Sequence, residues 1–217
     1  LLAENAYQQA LVHTKRGDKS RDATTERLAA SIYRQGEAAL AAGDTLQAAE
    51  QFDRIARVAP NSSIRVNAQY DAATNYMAAG EWSKGVSLLK DYRTRFPLKA
   101  MTAGIGATLV VAYEATGNWD AAANELATIA GSETDPEKKR QSLYLAAEYS
   151  EKSGNQQQAI QYYRDYAHSY PEPFPVAMEA RYRLSELYLT QGDASKRRFW
   201  LKKMISADQA AGSERTE

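Results

Sequence analysis

The chain has 217 residues and no cysteine, and its 27 basic and 27 acidic side chains balance to a formal net charge of zero. The missing thiols exclude disulfides, cysteine nucleophiles and cysteine-ligated metals, and the neutral charge argues against nucleic-acid binding. This length accommodates several helix pairs around a shared core. Only six prolines occur, and alanine is abundant, a balance that favours helix over sheet.

In chain order, the first predicted helix covers residues 3–15 and ends before Gly17 and Asp18. Residues 1–28 are therefore expected to form an N-terminal helical segment or a partial repeat. Hydrophobic spacing and helix-breaking residues then predict five helix pairs. These pairs cover 24–42 with 45–58, 63–79 with 82–95, 99–116 with 119–131, 136–153 with 156–169, and 175–191 with 194–208.

The two helices of each pair are joined by a three-residue motif with a central glycine. The five motifs are Ala42-Gly43-Asp44, Ala79-Gly80-Glu81, Thr116-Gly117-Asn118, Ser153-Gly154-Asn155 and Gln191-Gly192-Asp193, with glycines 37, 37, 37 and 38 residues apart. Glycine ends a helix in a left-handed conformation without steric cost. The Asp, Asn or Glu that follows is suited to cap or favourably charge the next helix. The motif therefore predicts a tight turn between two helices.

Other positions keep the same phase. Five residues after the glycines stand Ala48, Gly85, Ala122, Ala159 and Arg197, so four of the five allow two helices to approach closely. Proline stands seventeen residues after three of the glycines, where it ends the second helix. One such pair cannot bury its own apolar face, whereas stacked neighbours can.

These positions resemble the tetratricopeptide repeat. The resemblance implies an all-α fold, a right-handed solenoid of stacked antiparallel helix pairs. The usual period is 34 residues, and the extra residues here fall in the loops between repeats. The third repeat departs from the pattern at Thr134, where proline is expected, and the fifth at Arg197. We expect repeats at about 29–62, 63–98, 99–134, 135–174 and 175–208, with 209–217 as a tail or the start of a further repeat.

The longer loops, with aromatic residues such as those in Tyr92-Arg93-Thr94-Arg95-Phe96-Pro97, resemble a bacterial subgroup. Its members are linked to outer-membrane assembly and to the Tol-Pal system. The resemblance implies a periplasmic or outer-membrane-associated protein, while a cytoplasmic location stays open. The sequence begins at Leu1 instead of Met, so we expect it to be a piece of a longer protein.

In this family the first helices line a concave face that binds a peptide or a partner protein. The matching positions in this chain are Tyr33, Glu37, Asn67, Tyr70, Thr74, Met77, Ala107, Val111, Gln141, Tyr144, Glu148, Glu179, Tyr182 and Glu186. Tyrosine supplies a large contact area and a hydrogen-bonding tip. The same tyrosines could instead seal the packing between neighbouring first helices, and the two roles are compatible.

Two further features have alternative interpretations. The first helix of the third repeat carries Gly104, Ala107 and Val111 without charge, which allows either close approach of a partner or a buried central helix. The last helix carries a basic cluster, Lys196, Arg197, Arg198, Lys202 and Lys203, around Phe199 and Trp200. This cluster could contact anionic lipid or an acidic partner, or be a solvated convex face.

Catalytic and cofactor motifs are missing from the sequence. The two histidines, His13 and His168, lie far apart, and no phosphate loop, dinucleotide fingerprint or nucleophile elbow occurs. We therefore expect no enzyme, cofactor, metal or nucleic-acid partner, and no apolar run long enough to span a membrane. An interaction scaffold is the leading hypothesis. The alternatives are a structural spacer that self-associates, or a regulatory module attached to a catalytic domain elsewhere.

Overall fold

The computed structural model describes residues 2–15 and 18–214, and within them every regular element is a helix. This confirms the all-α fold class. The elements are α1 (Leu2–His13), α2 (Lys19–Ala41), α3 (Thr45–Val58), α4 (Arg65–Ala78), α5 (Trp82–Arg95), a 3-10 helix (Ala100–Gly104), α6 (Ile105–Ala115), α7 (Trp119–Ser132), α8 (Pro136–Lys152), α9 (Gln156–Ser169), α10 (Phe174–Thr190) and α11 (Ala194–Glu214).

The five recurring glycines all adopt the left-handed conformation, with φ between 67° and 82°. Each ends its first helix in the same way. The residue after the glycine donates its N–H to a carbonyl five residues back, as from Asp44 to Ala39 at 2.9 Å and from Asn118 to Tyr113 at 2.8 Å. This arrangement satisfies carbonyls that the helix end leaves unpaired. The recurring glycine motif therefore caps the C-terminus of the first helix in each pair.

The residue after the glycine also starts the next helix. The Asp44 side chain accepts a hydrogen bond from the N–H of Gln47 at 2.9 Å, and Asn118, Asn155 and Asp193 do the same in their own repeats. Glu81 makes no such bond, and its carboxylate lies 3.3 Å from Lys84 instead. The predicted caps are therefore present in four of the five turns.

The chain falls into two compact units, Leu1–Ile105 (unit 1) and Gly106–Glu217 (unit 2). In unit 1, α2 with α3 and α4 with α5 enclose a core around Leu28, Ile32, Phe52 and Ile55. Helix α1 packs on this core through Tyr7 and Leu11. The N-terminal segment is therefore a docked helix of unit 1, while the repeat boundaries stay a prediction.

A buried carboxylate holds α1 in place. Glu4 is 3% exposed and accepts hydrogen bonds from Gln8, Gln35 and Arg54. At the other end of α1, the Arg21 guanidinium donates to the carbonyls of Leu11 and Thr14 at 2.7 and 2.8 Å. A buried charge is tolerated only when it is paired and hydrogen-bonded, which explains the density of partners around Glu4.

In unit 2, the main core lies between α8, α9, α10 and α11, with Tyr163, Tyr166, Leu184 and Trp200 buried. A second cluster joins α6, α7 and α8 through Val110, Leu126 and Ala146. Buried aromatic rings therefore make up much of the core of the C-terminal pairs.

Three elements differ from the prediction. Helix α2 begins at Lys19 instead of residue 24, because the Asp18 side chain accepts a hydrogen bond from the N–H of Ser20 and caps it. Residues 100–104 form a 3-10 helix before α6, in a stretch whose glycines weaken the α-helix. Helix α11 continues to Glu214, six residues beyond the predicted end. The predicted stop at Gly17 and residues 215–217 lie outside the described residues.

Candidate functional site

The predicted site residues are carried by the first helix of each pair. Those of unit 1 lie on α2 and α4, and those of unit 2 lie on α6, α8 and α10. The second helices place aromatic rings behind them.

In unit 1 a cleft of about 240 Å³ opens between α2 and the start of α4. Three of the predicted residues line it, two from α2 and one from α4. Its lining consists of Ala30, Tyr33, Arg34, Glu37, Ile64 and Asn67. The cleft thus combines an aromatic ring, an amide and charges of both signs in a space that holds one large side chain.

Tyr33 forms one wall of this cleft and is held by two contacts. Its ring centroid lies 4.8 Å from that of Phe52 on α3, and its hydroxyl donates a hydrogen bond to the Asp71 carboxylate on α4 at 2.6 Å. Burial, followed by the hydrogen bond and charge of Asp71, raises the pKa of Tyr33 well above its ordinary value. Tyr33 is therefore both a packing residue between first helices and a wall of the cleft.

The α4 residues share this surface unequally. Asn67 is exposed and also lines a second cleft of about 240 Å³ with Tyr92 and Met101. Tyr70 is half-buried, with its ring edge on Tyr92 at 5.8 Å between centroids. One helical turn further on, the Thr74 hydroxyl donates a hydrogen bond to the backbone carbonyl of Tyr70 at 3.2 Å.

The placement of Met77 on the partner face is a correction to the prediction. Its side chain is 7% exposed and lies against α5, where a Cβ added to Gly85 would be 2.3 Å from the Met77 Cγ. The α4–α5 contact is close because Gly85 has no side chain. Met77 therefore fills the interior of the pair and offers no surface to a partner.

In unit 2 the half-buried Tyr144 on α8 is backed by two rings of α9. Its centroid lies 5.8 Å from that of Tyr163 and 5.2 Å from that of Tyr166, both edge to face. Burial, then the charges of Glu148 and Glu179, raises the pKa of Tyr144 to about 12. The structure thus brings three of the predicted residues together across α8 and α10.

The carboxylates of this surface are partly neutralised. Glu179 pairs with Arg183 at 2.7 Å, and Glu186 lies 3.7 Å from Arg197 on α11. Gln141 is exposed but donates its amide to Glu137 at 2.6 Å. Tyr182 stands free of the core, with 43% of its surface exposed. The exposed tyrosine and amide groups therefore characterise this surface more than a net negative charge does.

Helix α6 adds an uncharged surface to unit 2. Ala107 is exposed, and 54% of the Val111 surface is exposed. These observations contradict a buried central helix at Ala107 and Val111.

Comparisons with known proteins address the family. Models of the tetratricopeptide repeat match residues 30–62 and 108–173. These two segments therefore carry tetratricopeptide repeats. The two matched segments fall in different units, so both halves of the chain carry the repeat. No curated protein matches its sequence.

Solved structures similar to this chain share little sequence with it. A Podosopora anserina protein with nearly identical TPR-like repeats is 17% identical, with a TM-score of 0.43, and 87% of this chain and 98% of that chain are covered. MamA of AMB-1 is 16% identical, with a TM-score of 0.47 and coverages of 83% and 92%. MamA from Desulfovibrio magneticus RS-1 is 15% identical, with a TM-score of 0.44 and coverages of 84% and 96%.

Sequence reasoning missed several residues of the unit 1 cleft. Ala30, Arg34 and Ile64 line it, and Asp71 orients Tyr33. Ala30 stands three residues before Tyr33 and four before Arg34, the spacing of neighbours on a helix surface, so this part of the lining is visible in the sequence. Pairing between Tyr33 and Asp71 depends on the distance between two first helices, which no local pattern reveals.

Neither a metal site nor a membrane-spanning helix is found among the side chains and helices that the structure describes. No group of three or more histidine, aspartate or glutamate side chains is arranged to hold a metal ion in residues 2–15 and 18–214. Over the same part of the chain, no helix is both long and apolar enough to cross a membrane.

Proposed function

We propose that this tetratricopeptide-repeat protein is an interaction scaffold, whose first helices bind a peptide or a segment of a partner protein. The observation that supports it most is the cleft between α2 and α4, because Tyr33, Glu37 and Asn67 line one opening. Rigid aromatic anchors in small pockets are typical of residues that dominate binding energy at protein interfaces.

The chemistry of this cleft favours a mixed segment over a strongly charged one. Glu37 and Asn67 are exposed, and neither side chain forms a hydrogen bond or ion pair within the described part of unit 1. Arg34 supplies the opposite charge at the same opening. A partner with one apolar side chain beside polar and basic groups would fill the cleft and satisfy Glu37 and Asn67.

Unit 2 offers a second first-helix surface with a different character. Tyr182 provides an exposed ring, and Ala107 and Val111 provide an apolar strip without charge. Tyrosine contributes contact area at low entropic cost, and small residues let a partner backbone come close. We assign this surface to the same partner class.

Site-specific photo-crosslinking tests the proposal. A photoreactive amino acid replaces Glu37 in the cleft, and the matched control places it at Lys90, an exposed position on the second helix α5. We expect the Glu37 probe to capture a protein partner in a lysate of the source organism and the Lys90 probe to capture none. Equal capture by both probes would contradict the proposal, and capture of a second copy of the chain would favour a self-associating spacer.

Substitution at the exposed positions is the complementary test. Tyr70 and Tyr144 pack on core rings, so their truncation damages the fold together with the surface. Glu37→Ala, Asn67→Ala and Tyr182→Ala remove exposed groups and leave those contacts intact. Each should weaken recovery of the partner while the thermal unfolding curve stays unchanged.

We also propose a bacterial envelope role, periplasmic or outer-membrane-associated. It is supported by the resemblance of the long inter-repeat loops, such as the segment from Phe96 to Lys99, to the envelope subgroup of the family. Fractionation of cells that express the full-length protein tests this location. Recovery in the cytoplasmic fraction would remove it without affecting the scaffold proposal.

A further inference from the structure

A further cleft, larger than the two described in unit 1, lies on the second-helix side of unit 2. Its volume is about 410 Å³, which is within the range of small binding pockets. It lies where α9, α10 and α11 meet, and its walls include His168, Arg181, Phe199, Trp200 and Lys203. None of these residues belongs to the first-helix surface described above, so the cleft is independent of the proposed function.

Aromatic rings form the apolar part of this cleft. Trp200 is 4% exposed, and 47% of the Phe199 surface is open to solvent. The Trp200 ring contacts both neighbours, with centroid distances of 5.3 Å to His168 and 5.2 Å to Phe199. Trp200 therefore anchors the wall in the core, and Phe199 offers the free apolar surface.

The charged groups of the cleft are cationic and lack acidic partners. Arg181 and Lys203 line it, while Arg198 and Lys202 line an adjoining cleft that shares Phe199. Within the described residues of unit 2, none of these four side chains forms a salt bridge. The Lys203 ammonium instead lies 5.6 Å from the Phe199 ring centroid.

The two other cations of α11 show the contrast. Lys196 pairs with Asp193 at 2.9 Å, and Arg197 lies 3.7 Å from Glu186. The excess of positive charge is therefore local to the cleft, although the whole chain is neutral. Clefts lined by one sign of charge attract ligands of the opposite sign.

We propose that this cleft binds an acidic protein segment in which a bulky apolar residue is flanked by carboxylates. The apolar residue covers Phe199, and the carboxylates pair with Arg181 and Lys203. A peptide fits better than a membrane surface, because the cleft is concave and the large apolar residues exposed on α11 within the described chain are Phe199 and Ile205. Helices that lie on membranes present a broader apolar face.

The test uses fluorescence anisotropy with the complete chain. The probe is a short fluorescein-labelled peptide with a central phenylalanine flanked by glutamates, and the control peptide has glutamines in their place. We expect saturable binding of the acidic peptide that weakens as ionic strength rises, because exposed charges are screened, and much weaker binding of the control peptide.

Protein variants locate the binding. Lys203→Glu removes one attraction and adds one repulsion, so we expect the dissociation constant to rise about tenfold. Lys90→Glu makes the same change in net charge at an exposed position on α5 and should leave the constant unchanged. Phe199→Ala should weaken binding without lowering the thermal unfolding temperature, since Phe199 is half exposed.

Several outcomes would overturn the proposal. No saturable binding of the acidic peptide, or equal losses with Lys203→Glu and Lys90→Glu, would remove the cleft as its site. Equal binding of the two peptides would remove the carboxylates as the recognised groups. Binding to vesicles that contain phosphatidylglycerol, without binding to the peptide, would assign the cations to a lipid surface instead.

Discussion

Gly85 offers a sharp test of how closely the helix pairs pack. It occupies the small position of its repeat, where Ala48, Ala122 and Ala159 are fully buried in other pairs. Alanine is thus the ordinary residue at this position, yet the structure predicts that it destabilises this pair. A Cβ at Gly85 would lie 2.3 Å from the Met77 Cγ and 2.8 Å from the Ala73 carbonyl oxygen.

The magnitude follows from two opposing terms. Overpacking a core typically costs about 1–3 kcal/mol, while replacing glycine by alanine in a helix interior gains roughly 1 kcal/mol. The backbone carbonyl of Ala73 cannot rotate away, so α4 and α5 must separate. Because one of the overlapping atoms is backbone, the upper part of the overpacking range applies, about 2–3 kcal/mol. After the gain of about 1 kcal/mol is subtracted, we expect Gly85→Ala to lower the free energy of unfolding by about 1–2 kcal/mol, which lowers Tm by roughly 2–8 °C in a chain of this size.

Urea and thermal unfolding followed by far-ultraviolet circular dichroism measure this change. Gly131→Ala in α7 is the matched control, since an added Cβ there would have no atom within 4 Å. That variant should be as stable as the native chain or slightly more stable. If Gly85→Ala behaves like Gly131→Ala, then α4 and α5 are farther apart than the structure shows, and the reasoning about Met77 is wrong as well.

Three further predictions concern turns, hydrogen bonds and pH. Gly154→Ala forces a side chain into a left-handed backbone with φ of 80° and should lower the free energy of unfolding by about 1–2 kcal/mol, measured as a lower Tm. A Tm as high as that of Gly131→Ala would contradict the turn geometry. Tyr33→Phe removes the 2.6 Å bond to Asp71 and should cost about 1–2 kcal/mol in urea unfolding; an unchanged midpoint would mean that water replaces the bond. Burial and the hydrogen bond to Glu114 raise the pKa of Tyr149 to about 12. The folded chain then keeps a proton that the unfolded chain releases near pH 10, so this stability is complete below about pH 10 and is lost as the pH rises towards 12. Tyr149→Phe should flatten that decline in unfolding experiments at different pH values, and an unchanged decline would refute the assignment.

The candidate site was only partly predictable. Tyr33, Glu37 and Asn67 meet in one cleft because first helices of neighbouring repeats lie side by side, a consequence of the repeat pattern. Met77 has the spacing of a surface residue, but the glycine at position 85 draws α5 onto it. Spacing places a residue on a helix face, and the separation of the partner helix decides whether that face is open.

The C-terminal cleft shows the same division. The basic cluster on α11 is visible in the sequence, and a solvated face was one reading of it. Only the packed structure separates the members of this cluster. Lys196 pairs with a carboxylate in the turn before α11 and Arg197 lies near a carboxylate of α10, whereas Lys203 lines a cleft with Arg181. Charge pairing depends on the distances between different helices, which the residue pattern of a single helix does not reveal.

Local sequence is sufficient to specify the helix pairs and the points where their helices end. Glycine takes a positive φ without cost, and the Asp or Asn that follows satisfies the N–H groups of the next helix, so these local interactions need no tertiary partner. Packing between helices sets which residues stay exposed and which side chains pair across helices. These features depend on helix-to-helix distances of a few ångströms, which the packed side chains set collectively.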